Sequence, residues 1–84
     1  MTHRIYVLVS GWVLVGRVED HPDSGDLPVR LVSGAVIRRW GATAGIGELA
    51  GGPLPGTVLD PLPTAVVIPQ SAIVFALDVT GWSV

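Results

Sequence analysis

Hydrophobic positions fall along the chain in short alternating runs bounded by glycine, proline and serine, which is the signature of strands rather than helices. Residues 5–9 are β-branched, aromatic or aliphatic and read as a strand; Ser10-Gly11 is a turn signal, and residues 12–18 form a second run. The chain therefore opens on a β-hairpin. Gly16, inside the second run, marks a bulge or a close approach of two backbones. A polar loop with Pro22 and Gly25 spans 19–26. Strands are then expected at 28–32 and 35–40, with Ser33-Gly34 turning the chain between them.

The period changes after Trp40. Residues 41–47 are small and glycine-rich, and Ile46, Leu49 and Ala50 recur at i, i+3, i+4, which predicts one short helix. Thr43 or Gly45 can cap it, and Glu48 falls in its first turn, where the helix dipole favours an acid. Gly51-Gly52-Pro53 stops it. Residues 54–63 are a proline-rich connection with a short strand at 57–59. A strand follows at 64–68, Pro69-Gln70 turns, and 72–79 is the last strand. Its Ile73, Phe75, Leu77 and Val79 are expected to face the core. Ala72, Val74, Ala76 and Asp78 form a smaller face suited to a second layer or a subunit contact. These elements predict a mainly β fold, a small barrel or sandwich of five to seven short strands with one short helix, in a single domain over residues 1–84.

Composition sharpens that picture. A chain of 84 residues buries only about 60–65% of its unfolded surface, and without cysteine it has no disulfide staple. Yet 49% of its residues are hydrophobic. Homo-oligomerisation, which covers apolar faces and strand edges, is the expected remedy. A helical membrane span is not expected, since Gly11, Pro61, Pro63 and Pro69 break the uncharged runs before they reach about 20 residues. The apolar run at 5–9 is too short for a secretory signal and ends in no small-residue cleavage site, so a cytoplasmic location is expected.

The net charge of −2 gives no field that would attract duplex nucleic acid. All five basic residues are arginines, at positions 4, 17, 30, 38 and 39. Arginine is the residue for planar, bidentate contacts with phosphate or carboxylate. The lack of lysine beside abundant Gly, Ala, Val and Pro is equally what a high-GC genome encodes. His3 and His21 have no serine or cysteine partner at a recognisable spacing. Asp20, Asp23 and Asp26 lack the ligand pattern of a calcium loop. His21-Pro22-Asp23 matches the tripeptide of J-domain cochaperones but stands between strands, not helices. No catalytic residue, metal site or cofactor is expected, and the chain does not read as an enzyme.

The stretch 36–50 is the candidate site. A strand ends in Arg38-Arg39-Trp40, a glycine-rich turn follows, and a helix opens. On a strand Arg38 and Trp40 share one face and Arg39 takes the other. Guanidinium beside indole offers a platform for a planar group, and free N–H groups at the helix start, with the Thr43 hydroxyl, can hold an anion. Neither a Walker A loop nor a dinucleotide fingerprint is present. The candidate ligand-binding residues are Arg38, Arg39, Trp40, Thr43, Gly45 and Gly47. The competing reading is structural: Trp40 as a core anchor, the arginines paired with Glu48 or Asp60, and the glycines allowing close packing. Strand alternation decides part of this. If Ile37 faces the core, Arg38 lies on the open face; if Val36 does, Arg38 points inward. Ile37 is the larger aliphatic and favours the first.

At these residues the chain resembles a family of small uncharacterised phage and prophage proteins. The shared order is an opening hairpin, a strand with a basic and aromatic end like Ala35-Val36-Ile37-Arg38-Arg39-Trp40, a short helix like Gly45-Ile46-Gly47-Glu48-Leu49-Ala50, and an apolar closing strand. The resemblance spans most of the chain, and its specific part is residues 38–50. It departs from the commoner members in its loops and in the single aromatic Trp40. It implies a phage origin, with the cytoplasm of a bacterial host as the setting, and it carries over no catalytic residue. The function expected from it is a non-enzymatic accessory protein that sequesters a small anionic, nucleotide-like ligand. The alternative is a structural or assembly protein of the virion.

Overall fold

A computed structural model describes residues 2–19, 28–41 and 45–83. Six strands form one antiparallel sheet: β1 (Thr2–Leu8), β2 (Val13–Val18), β3 (Val29–Arg39), β4 (Val58–Pro61), β5 (Val66–Ile68) and β6 (Ile73–Val79). The sheet runs β4-β3-β2-β1-β6, and β5 pairs with β3 beyond β4. Both β4 and β5 run antiparallel to β3, along its two ends. They are two halves of one strand interrupted at residues 62–65, where Leu62 N–H still donates to Gly34 O at 2.9 Å. Pro61 at the end of β4 and Pro63 within the gap account for the interruption, because proline cannot donate to a ladder.

The hairpin β1–β2 turns at Ser10-Gly11 as expected. Gly11 takes φ 92°, a conformation glycine adopts without steric cost. By contrast, the turn expected at Ser33-Gly34 does not form, and the two strands expected at 28–32 and 35–40 are one eleven-residue strand. Gly34 sits opposite Gly16 on β2, and a Cβ at Gly34 would lie 2.7 Å from the Val15 carbonyl oxygen. The two glycines mark a close approach of neighbouring backbones, which Gly16 alone had indicated.

Register shifts bend the sheet and redirect side chains. Between Arg17 and Val18 the β2–β3 pairing slips by one residue at Val32. The slip brings Leu31 and Val29 to the face that carries Leu14 and Tyr6. That face curls around Tyr6, Leu14, Val29, Leu31 and Ile68, with Leu62, Val66 and Ile73 at its margins. The opposite face holds Ile5, Val13, Val15, Ala35, Ile37 and Val79, capped by Leu49 and Trp82. The Trp82 indole N–H donates to Leu49 O at 2.9 Å, so the segment after β6 is fixed over that face. The sheet is curled but not closed, which fits a sandwich-like arrangement of two apolar layers.

Two further expectations change. The helix is a 3-10 turn, Ile46–Gly51, followed by a second 3-10 turn at Gln70–Ala72 in place of the Pro69-Gln70 turn. Glycines at 45, 47, 51 and 52 leave Ile46, Leu49 and Ala50 packed on the sheet without the propensity to extend into α-helix. The last strand also fails to keep one face. A slip at Val74 separates Val7↔Phe75 from Leu8↔Ile73. Val79 and Leu77 therefore join one cluster, Ile73 joins the other, and Phe75 is exposed.

Candidate functional site

Strand β3 positions the arginines. Ile37 is buried and Arg38 is open, as the larger aliphatic at position 37 required. Arg38 does not stand free. Its Nε donates to Asp60 Oδ2 at 2.9 Å and its Nη2 to Oδ1 at 2.6 Å. Asp60 is on β4 opposite Val36, so the fork closes diagonally between two strands on the face that carries Val36. The side chain of Arg38 remains 68% exposed. The carboxylate raises the Arg38 pKa above its ordinary value, by hydrogen bonding first and by charge second. Charge-assisted bidentate pairs of this kind fix orientation as well as supplying energy.

This pair forms part of the wall of an open cleft of about 500 Å³. The other walls come from the hairpin tip, Ser10, Gly11 and Trp12, and from Val13, Val36 and Ile37. Extending the Leu14↔Val36 register by two residues places Trp12 across from Arg38. The Trp12 side chain is 58% exposed, unusual for an indole that has a core to enter. The cleft thus joins an exposed aromatic surface, a guanidinium, a carboxylate and the hydroxyl of Ser10.

Of the six residues expected to form the site, the five that are described do not line one cleft. Arg38 lines the cleft. Arg39 is exposed, with no ion pair among the described residues. Trp40 lies past the end of β3, exposed and outside the cleft lining; its carbonyl oxygen accepts from the Thr57 hydroxyl at 2.6 Å. That hydroxyl in turn accepts from Leu54 N–H at 2.9 Å, so the Trp40 backbone tethers the loop before β4. Thr43 lies outside the described residues. Gly45 and Gly47 belong to the 3-10 turn that packs on the opposite face of the sheet. Within that turn the Glu48 N–H donates to Gly45 O at 3.2 Å. The aromatic residue that lines the cleft with Arg38 is Trp12, which the sequence reading had placed only in a strand. His21 and the aspartates at 20, 23 and 26 also lie outside the described residues.

A second arginine–aspartate pair joins β1 to β6. Arg4 and Asp78 are direct cross-strand partners, and Arg4 Nε donates to Asp78 Oδ1 at 2.6 Å. The Arg4 pKa is raised by the Tyr6 hydroxyl first and by Asp78 second, against a smaller desolvation effect. The Tyr6 hydroxyl is nonetheless buried without a partner in hydrogen-bond geometry.

Among the described residues, no group of three His, Asp or Glu side chains could hold a metal ion, and no helix is long and apolar enough to cross a membrane. The chain matches no family model, no curated protein and no solved structure.

Proposed function

We propose that this chain is a non-enzymatic binding protein that holds a small nucleotide-like ligand in the cleft between the hairpin tip and the β3–β4 seam. The observation that carries this reading is the Trp12 indole, exposed beside the Arg38–Asp60 fork in a cleft of about 500 Å³. A cleft of that size falls in the range of small-molecule sites, which combine an apolar or aromatic wall with a few placed polar groups. An indole stacks on any planar heterocycle, at about 1–3 kcal/mol per base. The resemblance to small phage proteins supplies the setting, an accessory protein that sequesters its ligand in the cytoplasm of a bacterial host. The test is a thermal-shift series with nucleosides, mononucleotides and cyclic nucleotides. A ligand at 100 times its Kd adds about 2.7 kcal/mol to stability. The gain is expected to vanish in Trp12→Ala and to persist in Trp40→Ala; a series in which no compound raises the melt removes the reading.

A second reading, a self-associating structural or assembly protein, is favoured by a different observation. Strand β6 pairs only with β1 among the described strands, and it exposes Val74 and Phe75. An edge with neither proline nor lysine is open to further pairing. Light scattering at micromolar concentration separates the two, because the ligand reading holds for a monomer and this one does not.

A further inference from the structure

The five N–H donors of Arg38 are divided by its fork with Asp60. Two are spent on the carboxylate, and three remain on the outer side of the guanidinium. Each Asp60 oxygen accepts one of these bonds and keeps further lone-pair capacity. Of the residues lining the cleft, only Arg38 and Asp60 carry charge, and the two cancel. A phosphate seeking Arg38 would meet a carboxylate already seated 2.6 Å from the same guanidinium. It would have to displace that carboxylate or bear its repulsion. A neutral ring meets no such penalty. Where an acceptor atom stands next to an N–H, as along the Watson–Crick edge of every nucleobase, the acceptor takes an outer Arg38 N–H and the ring or amino N–H reaches Asp60. The ring face lies on Trp12.

We infer that the cleft recognises the edge of a neutral nucleobase through the intact Arg38–Asp60 pair, and that it does not recognise a phosphate. This rests on the reading of the cleft as the ligand site, and it corrects the expectation that these arginines hold an anion. The aspartate is then a specificity element rather than a partner that only neutralises Arg38. Replacing it with asparagine keeps the shape, removes the charge that excludes anions and weakens the acceptor.

The test uses the full chain, indole fluorescence and calorimetry, with adenosine, guanosine, cytidine and uridine set against ribose 5-phosphate and inorganic phosphate. At least one nucleoside is expected to bind within about threefold of its 5′-monophosphate, with little salt dependence. Ribose 5-phosphate is expected not to compete. Asp60→Asn is expected to lower nucleoside affinity by about tenfold or more, as lost hydrogen bonds to charged groups do, and to let phosphate bind. Circular dichroism checks that the variant is folded, and Trp12→Ala checks the location. If ribose 5-phosphate competes and nucleosides do not bind, with Trp12→Ala abolishing the signal, the base-edge inference fails and the ligand site stands. Unchanged nucleoside binding in folded Asp60→Asn also overturns the inference. If no nucleoside, nucleotide or phosphate binds, the ligand-site reading itself fails.

Discussion

Two arginine–aspartate pairs bridge neighbouring strands of the sheet, Arg4–Asp78 between β1 and β6 and Arg38–Asp60 between β3 and β4. The chemistry is the same and the surroundings are not. Arg4 is only 34% exposed and shares its face with the buried ring of Tyr6. Its pair is made through one nitrogen, in direct cross-strand register, and beside it lies a packed cluster. Arg38 is twice as exposed, its pair is a closed fork between diagonal positions, and beside it lies an open cleft with an unburied indole. An ion pair over a packed cluster has nothing further to contact, so its work is confined to holding the strands. One beside a cleft keeps donors and acceptors turned to whatever enters. What separates structure from site here is the neighbouring aromatic: Tyr6 is 2% exposed and Trp12 is 58% exposed.

The largest effect should come from removing those aromatics in turn. Tyr6 touches the cluster that holds the curled face together, so Tyr6→Ala should cost about 3–5 kcal/mol of stability, as for other large core aromatics. Trp12→Ala should move stability by less than about 0.5 kcal/mol, as surface changes do, while removing ligand binding. Chemical denaturation of both variants checks this. A destabilisation of the Trp12 variant comparable to that of Tyr6 would erase the distinction between the two pairs.

A smaller effect sharpens it. The Tyr6 hydroxyl is buried and unpartnered in geometry, and a buried donor left unmade costs about 1–3 kcal/mol. Tyr6→Phe is expected to be more stable than the parent by about 1 kcal/mol. A loss of stability would show instead that the hydroxyl makes a working hydrogen bond to Arg4.

The strands were legible because most are rich in β-branched, aromatic or aliphatic residues, and the mainly β architecture follows from them. What alternation could not reveal were the register slips at Val32 on β3 and Val74 on β6, since each depends on pairing with another strand. Ser33-Gly34 reads as a turn until Gly16 is known to lie opposite it. Phe75 reads as core until Val74 is known to be the extra residue against β1. The same limit applies to the site. Arg38 and its openness could be read from Ile37 alone, and Asp60 stood among its possible partners. Trp12 could not be joined to Arg38 without the β2–β3 register. Trp40, adjacent in sequence, drew the attention that belonged to an indole across the sheet.

The smallest expected difference lies in the pairs themselves. A double-mutant cycle on Arg4 and Asp78 should give a coupling of no more than about 1 kcal/mol, because both side chains keep solvent contact. The cycle on Arg38 and Asp60 should give less, and that coupling should fade with added salt, since water reaches both groups. The pH dependence follows from the direction of the shifts. Both arginine pKa values are raised above their ordinary value in the folded chain. Stability from a raised pKa is complete below the unfolded value and is lost only as pH climbs through the folded one. Neither arginine should therefore contribute any slope to stability across the neutral range, and their loss should appear only in strong alkali. Melts of the wild type, Arg4→Ala and Arg38→Ala across neutral pH should run parallel. A curve for Arg38→Ala that diverges from the wild type near neutrality would overturn that expectation. The exposed pair would then be the stronger electrostatic element of the two.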